Sequence, residues 1–318
     1  AEIIAHFGTD AQKERYLTPL LANEITSCFA MTEPQGGSDP KEFRCTATET
    51  DDGWSLSGQK WFATHAPFAS VYIVMVVTDP DASNPYQKMS MFIVPASSDG
   101  IEILRNMAVV NEAGPPCHAY LEFRDVRIPK DHLLGGRGQA FKVSQVRLGG
   151  GRVHHSMRTL AQCKTAFDMM CERALSRHTQ GETLSDKQLV QQMIADCWLK
   201  IEQFRLFLLQ TAWKIDRYKD YRKVRKDIAG VKALMPGVLQ DVASCALQVH
   251  GSLGMTNEMP FIDQIITAYR MGIADGPTEV HKLTVAKQLL RDYEASEDLF
   301  PSKHLLKRLE KAHFKYPS

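Results

Sequence analysis

The amino-acid sequence predicts an α+β fold, in which an antiparallel β-barrel or sandwich is followed by a four-helix bundle and preceded by the remnant of a helical domain. Apolar residues recur every three or four positions to about residue 24, every second position from about 25 to 130, and every three or four positions again from about 136. Clusters of Gly, Pro and Asp divide the middle stretch into short runs. We expect domains at 1–24, 25–135 and 136–298 and a basic tail at 299–318, an order that names no function by itself.

The first domain carries two helical patterns separated by Gly8. Asp10 stands where the second helix would take its N-cap. The segment lacks an initiator Met and reads like the end of a larger helical domain, so we expect the chain to be processed, truncated or partly represented. The predicted apolar positions of the two helices are Ile3, Ile4, Phe7, Tyr16, Leu17, Leu20 and Leu21.

The second domain consists of short runs rich in β-branched and aromatic residues. Turn signals at 51–53, 79–81 and 98–100 separate these runs. Short strands joined in this way predict a compact antiparallel domain. The strand runs are Ile25–Met31, Trp54–Leu56, Val71–Val77, Met89–Val94 and Ala119–Phe123.

The third domain contains four long amphipathic patterns, which predict a bundle. The first ends at Ser176, and the second opens with Ser185-x-x-Gln188, which has the form of a capping box. The third contains Pro236, which we expect to kink it, and the fourth covers about 278–293. For the tail we expect a short helix and a frayed end.

Composition excludes several functional classes. Lys and Arg number 38 against 37 Asp and Glu, so no basic field favours nucleic acid. No apolar run reaches about 18 residues, so no membrane insertion is expected. The seven cysteines form no CxxC pair and are interpreted as reduced core residues. We therefore expect an intracellular soluble protein, cytoplasmic if bacterial and mitochondrial or peroxisomal if eukaryotic.

The stretch from Phe29 to Asp39 is the first with chemical content. A strand ends there and turns through Pro34, Gly36 and Gly37, which leaves backbone N–H groups and the Ser38 hydroxyl free to hold a pyrophosphate. A polar turn after an edge strand is the alternative interpretation.

Thr32-Glu33-Pro34, Gly37-Ser38-Asp39, Gly58-x-Lys60 and Phe62-x-Thr64 together resemble the signature of the acyl-CoA dehydrogenase family. The stretches 90–95, 123–129 and 134–138 are similar to further motifs of its β domain and of the loop into its bundle. The family usually has Trp where Phe62 stands and a small residue where Glu42 stands. The resemblance implies an FAD cofactor contacted by Phe29, Met31, Thr32, Gly37, Ser38, Phe62 and Thr64, with Phe62 packing on the flavin ring, Thr64 beside flavin N5, and Ser38 also near substrate.

Motifs in the bundle extend the resemblance. Arg152 resembles an arginine near the active site that orients catalytic and substrate groups. Arg177 and Thr179 resemble residues that reach the flavin pyrophosphate of a neighbouring subunit, although a helix C-terminus complementing its dipole is the alternative for Arg177. Gln248, Gly251 and Ser252 resemble a loop that contacts the partner's flavin, and a simple C-cap is compatible with this reading. The resemblance therefore implies a homodimer or homotetramer.

Asp275 stands where most of the family has the Glu that removes the substrate α-proton. Asp275-Gly276-Pro277 resembles a branch with Asp at this position, and an N-cap of the following helix is the alternative interpretation. Some members carry the base on an earlier helix, at the position of Gly151, which cannot serve. We expect burial beside the apolar acyl chain of a substrate to raise the pKa of Asp275. The resemblance also implies that Gly276 contacts substrate and that Thr278 and Glu279 contact the cofactor.

Three other patterns have simpler interpretations. Adjacent His154 and His155 point about 100° apart on a helix, which disfavours a metal site. Gly149–Gly151 lacks the strand–turn–helix setting of a dinucleotide fingerprint. The basic run 222–226 is interpreted as a solvated helix start, and a CoA-phosphate role has no support.

The activity that the resemblance implies is α,β-dehydrogenation of an acyl-CoA thioester. Asp275 would take the α-proton, flavin N5 the β-hydride, and an electron-transfer flavoprotein or similar acceptor the electrons. Three alternatives remain: a flavin oxidase of the same fold such as a nitroalkane type, a non-catalytic or partner-dependent subunit, and a helical interaction scaffold. The family's N-terminal helical domain, which closes the flavin and acyl sites, would be largely absent.

Overall fold

The structure of the protein, a computed structural model, describes residues 1–110, 114–297 and 299–315. The leading helix α1 (Glu2–Phe7) ends at Gly8, as predicted. The next helical segment runs through α2 (Asp10–Gln12), a π-helical turn (Lys13–Leu17) and α3 (Thr18–Leu21).

The prediction of Asp10 as N-cap is wrong, because the helix already begins at that residue. Thr9 is the cap: its Oγ1 accepts from the Gln12 amide at 3.2 Å, and the Gln12 side chain accepts from the Thr9 amide at 3.1 Å. This is a capping box, in which two backbone donors are satisfied reciprocally.

The described residues of the second domain form a seven-stranded sheet, and the predicted fold class is confirmed. Two pairings differ from the antiparallel prediction: β1 and β2 each run parallel to β4, so the sheet is mixed. The strands are β1 (Ser27–Ala30), β2 (Thr46–Glu49), β3 (Gly53–Thr64), β4 (Val71–Val77), β5 (Met89–Pro95), β6 (Ile101–Met107) and β7 (His118–Pro129), in the order β1-β4-β2-β3-β7-β6 with β5 beside β4.

Strand β4 separates two hydrophobic cores. Val74 and Val76 point into the core enclosed by the sheet, whereas Ile73 and Met75 point into a second core shared with α1 and the start of the bundle. All seven residues of β4 are buried, because both faces of the strand are covered. The second core fixes the sheet against the first long helix, and this contact positions the candidate site.

Five helices form the bundle in the described part of the chain, not the four predicted. The central helix α6 (Arg225–His250) contacts all the others, which are α4 (Ala140–Ser176), α5 (Gln188–Tyr218), α7 (Phe261–Ile273) and α8 (Thr278–Leu290). Helix α7 was missed because its 13 residues are short and follow a 3-10 turn at Gly251–Met255. Helix α6 continues through Pro236.

The capping box predicted at Ser185 and Gln188 is also wrong. Thr183 and Asp186 form the box, two residues earlier, and it caps a 3-10 turn at Leu184–Asp186. Helix α5 then starts at Gln188 without a side-chain cap. The predicted helix in the basic tail is present as α9 (Leu305–Lys315), and residues 316–318 lie outside the described residues.

A short hairpin of β8 (His178–Thr179) and β9 (Glu182–Thr183) closes the far end of α4. No helix within the described ranges is both long and apolar enough to cross a membrane. Among the same residues, no group of three His, Cys, Asp or Glu could hold a metal ion. The domain boundaries given above stay a prediction.

Candidate active site

Asp275 lies on the tight turn between α7 and α8 and has a left-handed backbone conformation, with φ +55°. Gly276 follows with φ +104°, a value that favours glycine. The Asp275 side chain is 11% exposed. It does not cap α8, whose N-cap is Pro277 without a side-chain hydrogen bond. The N-cap interpretation of Asp275 is therefore excluded, and a non-glycine residue in this conformation marks a candidate functional position.

The carboxylate faces a stripe of three residues on α4, spaced four apart: Arg147, Gly151 and His155. Arg147 Nη1 donates to Asp275 Oδ1 at 2.8 Å. His155 Nε2 lies 3.3 Å from Oδ2, within ion-pair distance, yet Oδ2 is buried and receives no hydrogen bond from the described residues. Gly151 lies between the two, where a Cβ would come within 3.0 Å of Oδ2. Gly151 thus leaves space on α4 between the Arg147 guanidinium and the His155 imidazole, and the Asp275 carboxylate occupies that space.

Three further side chains hold the backbone of this turn. Arg152 Nε donates to the carbonyl oxygen of Asp275 at 2.9 Å, and His281 Nε2 lies 3.3 Å from the same oxygen. Lys232 is fully buried and donates from Nζ to the carbonyl of Met271 and, at 3.4 Å, to that of Gly276. Because Lys232 donates hydrogen bonds on both sides of Asp275, the position of Asp275 is set by α6 as well as by α4.

Charges around the turn keep Asp275 ionised. Burial alone would raise the pKa of its carboxyl, but the His155 contact and the Arg147 guanidinium more than offset it and lower the pKa to about 2. The raised pKa expected for Asp275 beside an acyl chain concerns the substrate-bound site and stays a prediction. In the chain without substrate the pKa is lowered, because two nitrogen groups from α4 converge on the carboxylate.

The two buried bases beneath the turn, His281 and Lys232, both have lowered pKa values, so burial disfavours their charged forms. Burial, together with the nearby charges of Arg152 and Lys232, lowers the pKa of His281 to about 4. Burial also lowers the pKa of Lys232 to about 8, although the Asp275 charge raises it. At neutral pH His281 is therefore an uncharged hydrogen-bonding group.

A second centre holds the turn that follows β1. Lys60 and Glu33, both almost completely buried, form an ion pair with Nζ and Oε1 2.6 Å apart. Lys60 also donates to the carbonyl of Met31 at 2.9 Å, and the Trp61 amide donates to the carbonyl of Thr32 at 3.0 Å. The predicted cofactor contacts Met31 and Thr32 are thus fixed to strand β3 by a buried charge pair.

The next predicted contacts lie on and just beyond a bulge of β3. The pairing register shifts between Lys60 and Ala63, and Phe62 within the bulge has φ +50° and is 48% exposed. Thr64 is exposed, with Oγ1 2.9 Å from His118 Nδ1. A bulge redirects side chains, and here it turns a large aromatic ring outward although an apolar ring gains by burial.

One contact joins the two halves of the candidate site. The Arg147 guanidinium carbon lies 4.9 Å from the centre of the Phe29 ring, a cation–π arrangement. Arg147 therefore links the predicted cofactor residue Phe29 to the Asp275 carboxylate. Gly37 and Ser38 are exposed on the turn beyond, and their amides have no backbone acceptor among the described residues.

The remaining predicted residues fall into two groups. Thr278 Oγ1 donates to the Gly272 carbonyl at 3.2 Å, and Glu279 is exposed on the first turn of α8, so both lie beside Asp275 in sequence and space. A second group lies exposed at the other end of the bundle, about 37 Å from Arg152 along α4 at 1.5 Å per helical residue. It comprises Arg177, Thr179, Gln248, Gly251 and Ser252. One chain therefore does not bring this group to Asp275.

Sequence reasoning missed several residues of the site. Arg147 and His155 could have been found from their spacing around Gly151, which places all three on one side of a helix. Lys232 could have been noticed as a lone cation on the apolar face of α6, between Val231 and Met235, where an unpaired charge is costly. No sequence signal identifies His281, because its role depends on the fold of the turn.

The residues present fit a flavin dinucleotide, the group that the resemblance implies. An exposed aromatic side chain on the bulge, Phe62, is followed two residues later by an exposed hydroxyl, Thr64. Exposed amides at Gly37 and Ser38 suit a pyrophosphate.

Comparison with known proteins supports the same interpretation. The family model described as acyl-CoA dehydrogenase, middle domain, matches residues 28–126, and that of the C-terminal domain matches residues 138–290. The Gallus gallus protein named acyl-CoA dehydrogenase family member 11 is 37% identical over 297 residues, which are 92% of this chain and 38% of that protein. The probable acyl-CoA dehydrogenase FadE2 of Mycobacterium tuberculosis is 36% identical over 289 residues, 90% of this chain and 70% of that protein. The chain thus spans well under half of the animal relative.

Solved structures resemble the whole arrangement. A Mycobacterium abscessus protein assigned to the acyl-CoA dehydrogenases has a TM-score of 0.86 and 35% identity, over 92% of this chain and 72% of that one. A structure described as PigA with FAD and proline has a TM-score of 0.84 and 25% identity, over 90% of this chain and 73% of that one.

Proposed function

The chain belongs to the acyl-CoA dehydrogenase family, and on that basis we propose that it catalyses the α,β-dehydrogenation of an acyl-CoA thioester with FAD as cofactor. The observation that carries this proposal is the Asp275 carboxylate: buried, ionised, and held on a left-handed turn against the bare backbone of Gly151. Among the described residues that the sequence motifs predict to lie at the site, Asp275 is the one carboxylate held on a left-handed turn.

Asp275 acts as the base that removes the proton from the α-carbon. Arg152 and Lys232 fix the turn through its carbonyl oxygens, so the carboxylate approaches the substrate from one direction. In this proposal the main chain around Asp275 and the flavin ribityl chain hydrogen-bond the thioester carbonyl, which would make the α-proton more acidic. FAD supplies the acceptor for the hydride that leaves the β-carbon.

Other residues bind the cofactor. Phe29, Met31, Thr32, Phe62 and Thr64 serve the flavin ring, and Gly37 and Ser38 the pyrophosphate; the similar PigA structure is described with FAD. Asp in place of the usual Glu assigns the chain to the Asp-type branch. Acyl-CoA and an electron-transfer flavoprotein or similar acceptor are the proposed partners. Arg177, Thr179, Gln248, Gly251 and Ser252 reach the flavin of a second copy, in a homodimer or homotetramer.

The experiment is an anaerobic titration of the FAD-loaded protein with acyl-CoAs of graded chain length, read by flavin absorbance. We expect at least one acyl-CoA to bleach the flavin and to leave as the enoyl-CoA. Enoyl-CoA product distinguishes this activity from mere ligand binding. If none of the acyl-CoAs tested bleaches the flavin, the proposal is contradicted. Rapid oxygen consumption with peroxide release on another carbon acid would identify an oxidase instead.

A further inference from the structure

His155 connects the buried carboxylate to solvent. The Asp275 side chain is 11% exposed and the His155 side chain 24%, while Nε2 and Oδ2 are 3.3 Å apart. A partly exposed imidazole whose Nε2 lies at the reacting carboxylate is suited to carry a proton away from a site that is closed when substrate is bound.

The other charged and titratable groups around Asp275 cannot take this role. From α4, Arg147 faces Oδ1 and Arg152 the backbone carbonyl, and arginine does not release its proton in proteins. From α6 and α8, Lys232 and His281 face backbone carbonyl oxygens of the turn, not the carboxylate. Within the described residues, His155 is thus the one side chain at a carboxylate oxygen whose ring nitrogen can both accept and donate a proton.

We propose that His155 receives from Asp275 the proton that Asp275 has removed from the substrate, an inference that rests on the proposed function. The O–H bond at Oδ2 breaks and an N–H bond at Nε2 forms, so Asp275 returns to carboxylate and the imidazole becomes imidazolium. No electrons move in this step. It requires a neutral imidazole with its proton on Nδ1, and Oδ2 receives no hydrogen bond from Nε2 in the structure.

The transfer resolves a difficulty posed by the charges of the site. A carboxyl group that faces the Arg147 guanidinium holds a proton weakly and would return it to the α-carbon. Passing the proton to His155 removes it from competition with the reverse reaction. The imidazolium then stands beside a carboxylate, an arrangement stabilised by their opposite charges.

His155→Gln and His154→Gln form a matched pair for the test. His154 is adjacent on α4 but points away, into a separate cavity of about 260 Å³ beside Tyr221. Rates of flavin bleaching by an acyl-CoA active on the wild type are measured anaerobically from pH 5.5 to 8.5 on the FAD-loaded proteins. Titration of the flavin itself is common to both variants and cancels in their comparison.

We expect the bleaching rates of the wild type and His154→Gln to rise with pH, because an imidazole that is already protonated cannot accept the proton. His155→Gln should lack this rise and be at least about tenfold slower at pH 8, a modest share of what proton-transfer groups contribute. As a readout independent of turnover, ¹³C NMR of the substrate-free protein should show the pKa of the Asp275 carboxyl raised in His155→Gln and unchanged in His154→Gln. His155→Asn serves as a second variant should the first lose its helical circular dichroism.

Two results would overturn the inference alone: a His155→Gln profile that matches His154→Gln in shape and rate, or an unchanged pKa of Asp275. Two others would reach further. A wild-type flavin that no acyl-CoA bleaches would remove the proposed function and this inference with it. Bleaching by Asp275→Asn together with an inert His155→Gln would make His155 the primary base.

Discussion

Gly151 sets how closely the backbone of α4 approaches the Asp275 carboxylate. Replacement by Ala would place Cβ 3.0 Å from Oδ2 and displace the carboxylate, whereas Ala at Gly150 meets its nearest atoms at an ordinary 3.5 Å. We predict that Gly151→Ala slows flavin bleaching by about tenfold or more, because displacement of a catalytic group by a fraction of an ångström is costly.

Comparing Gly151→Ala with Gly150→Ala distinguishes an effect on activity from an effect on stability. Ala in a helix interior is favoured over Gly by about 1 kcal/mol, so neither variant should lower the free energy of unfolding by more than a few tenths of that amount. Chemical denaturation and stopped-flow bleaching of both variants check the prediction. Equal bleaching rates in the two would show that Gly151 does not control the base.

Asp275 also makes the stability of the protein depend on pH. Its carboxyl protonates near pH 3.9 when unfolded and near pH 2 when folded, so the folded state holds the proton more weakly. The stabilisation is complete well above pH 4 and is lost as pH falls towards 2. Between pH 6 and pH 3 the loss is about 1 kcal/mol.

Urea unfolding of the wild type and Asp275→Asn at pH 6 and pH 3 tests this dependence. We predict that the free-energy difference between the two proteins shifts by about 1 kcal/mol against the wild type at the lower pH. Since the other carboxylates are common to both proteins, their contributions cancel. A difference that does not change with pH would contradict the low pKa of Asp275.

For single residues, the sequence predicted which side chains form the site better than it predicted the charges and hydrogen bonds around them. Asp275, Arg152 and Gly151 could be placed by motif register, and the structure brings all three together. The direction of the pKa shift could not be predicted, because it depends on Arg147 and His155 reaching across from another helix. Contacts between residues more than a hundred positions apart leave no local pattern in one sequence.

Among the elements, the turn after β1 depends on β3 through one buried ion pair. Lys60→Met would leave the Glu33 carboxylate buried without its partner, and such a loss costs roughly 3–5 kcal/mol. The Met31 and Thr32 backbone would lose its anchor, so we predict weaker FAD retention as well.

The double variant Glu33→Gln/Lys60→Met is the control. It removes both charges, so we expect it to recover part of the stability lost in Lys60→Met, which urea unfolding would show as non-additive free energies. Additive losses in the two single variants and the double variant would mean that the ion pair does not hold the turn.

The elements also show where periodicity fails as a predictor. The strand run Val71–Val77 was recognised by its β-branched and aromatic residues, but composition cannot tell parallel from antiparallel partners. Helix α7 was missed because a 13-residue pattern between a 3-10 turn and the Asp275 turn resembles a loop. Both N-caps were misplaced by one or two residues, since several Ser, Thr and Asp side chains compete for each helix start.

For the whole molecule, the separation of Arg177 from Asp275 along α4 predicts that one active site draws on two chains. Arg177→Ala and Asp275→Asn should each be inactive alone. In a mixed dimer, one site combines the intact Asp275 of the first chain with the intact Arg177 of the second. We therefore predict that co-expression restores activity to about a quarter of the wild-type level, the value expected from random pairing.

Co-purification through two different affinity tags isolates the mixed dimers for assay. Double variants carrying both changes in one chain, paired with wild type, control for expression level. If Arg177 serves the flavin of its own chain, the mixed dimer will be as inactive as either parent. That result would contradict the prediction that a second chain contributes to the active site.

Asp275 is the proposed base that removes the α-proton of an acyl-CoA. The most direct measurement compares the FAD-loaded wild type and Asp275→Asn, with the same acyl-CoA, by flavin bleaching and by exchange of the α-hydrogens with deuterium from D₂O. We predict that Asp275→Asn still binds flavin and acyl-CoA but neither bleaches nor exchanges. Bleaching or exchange at the wild-type rate in Asp275→Asn would contradict the claim.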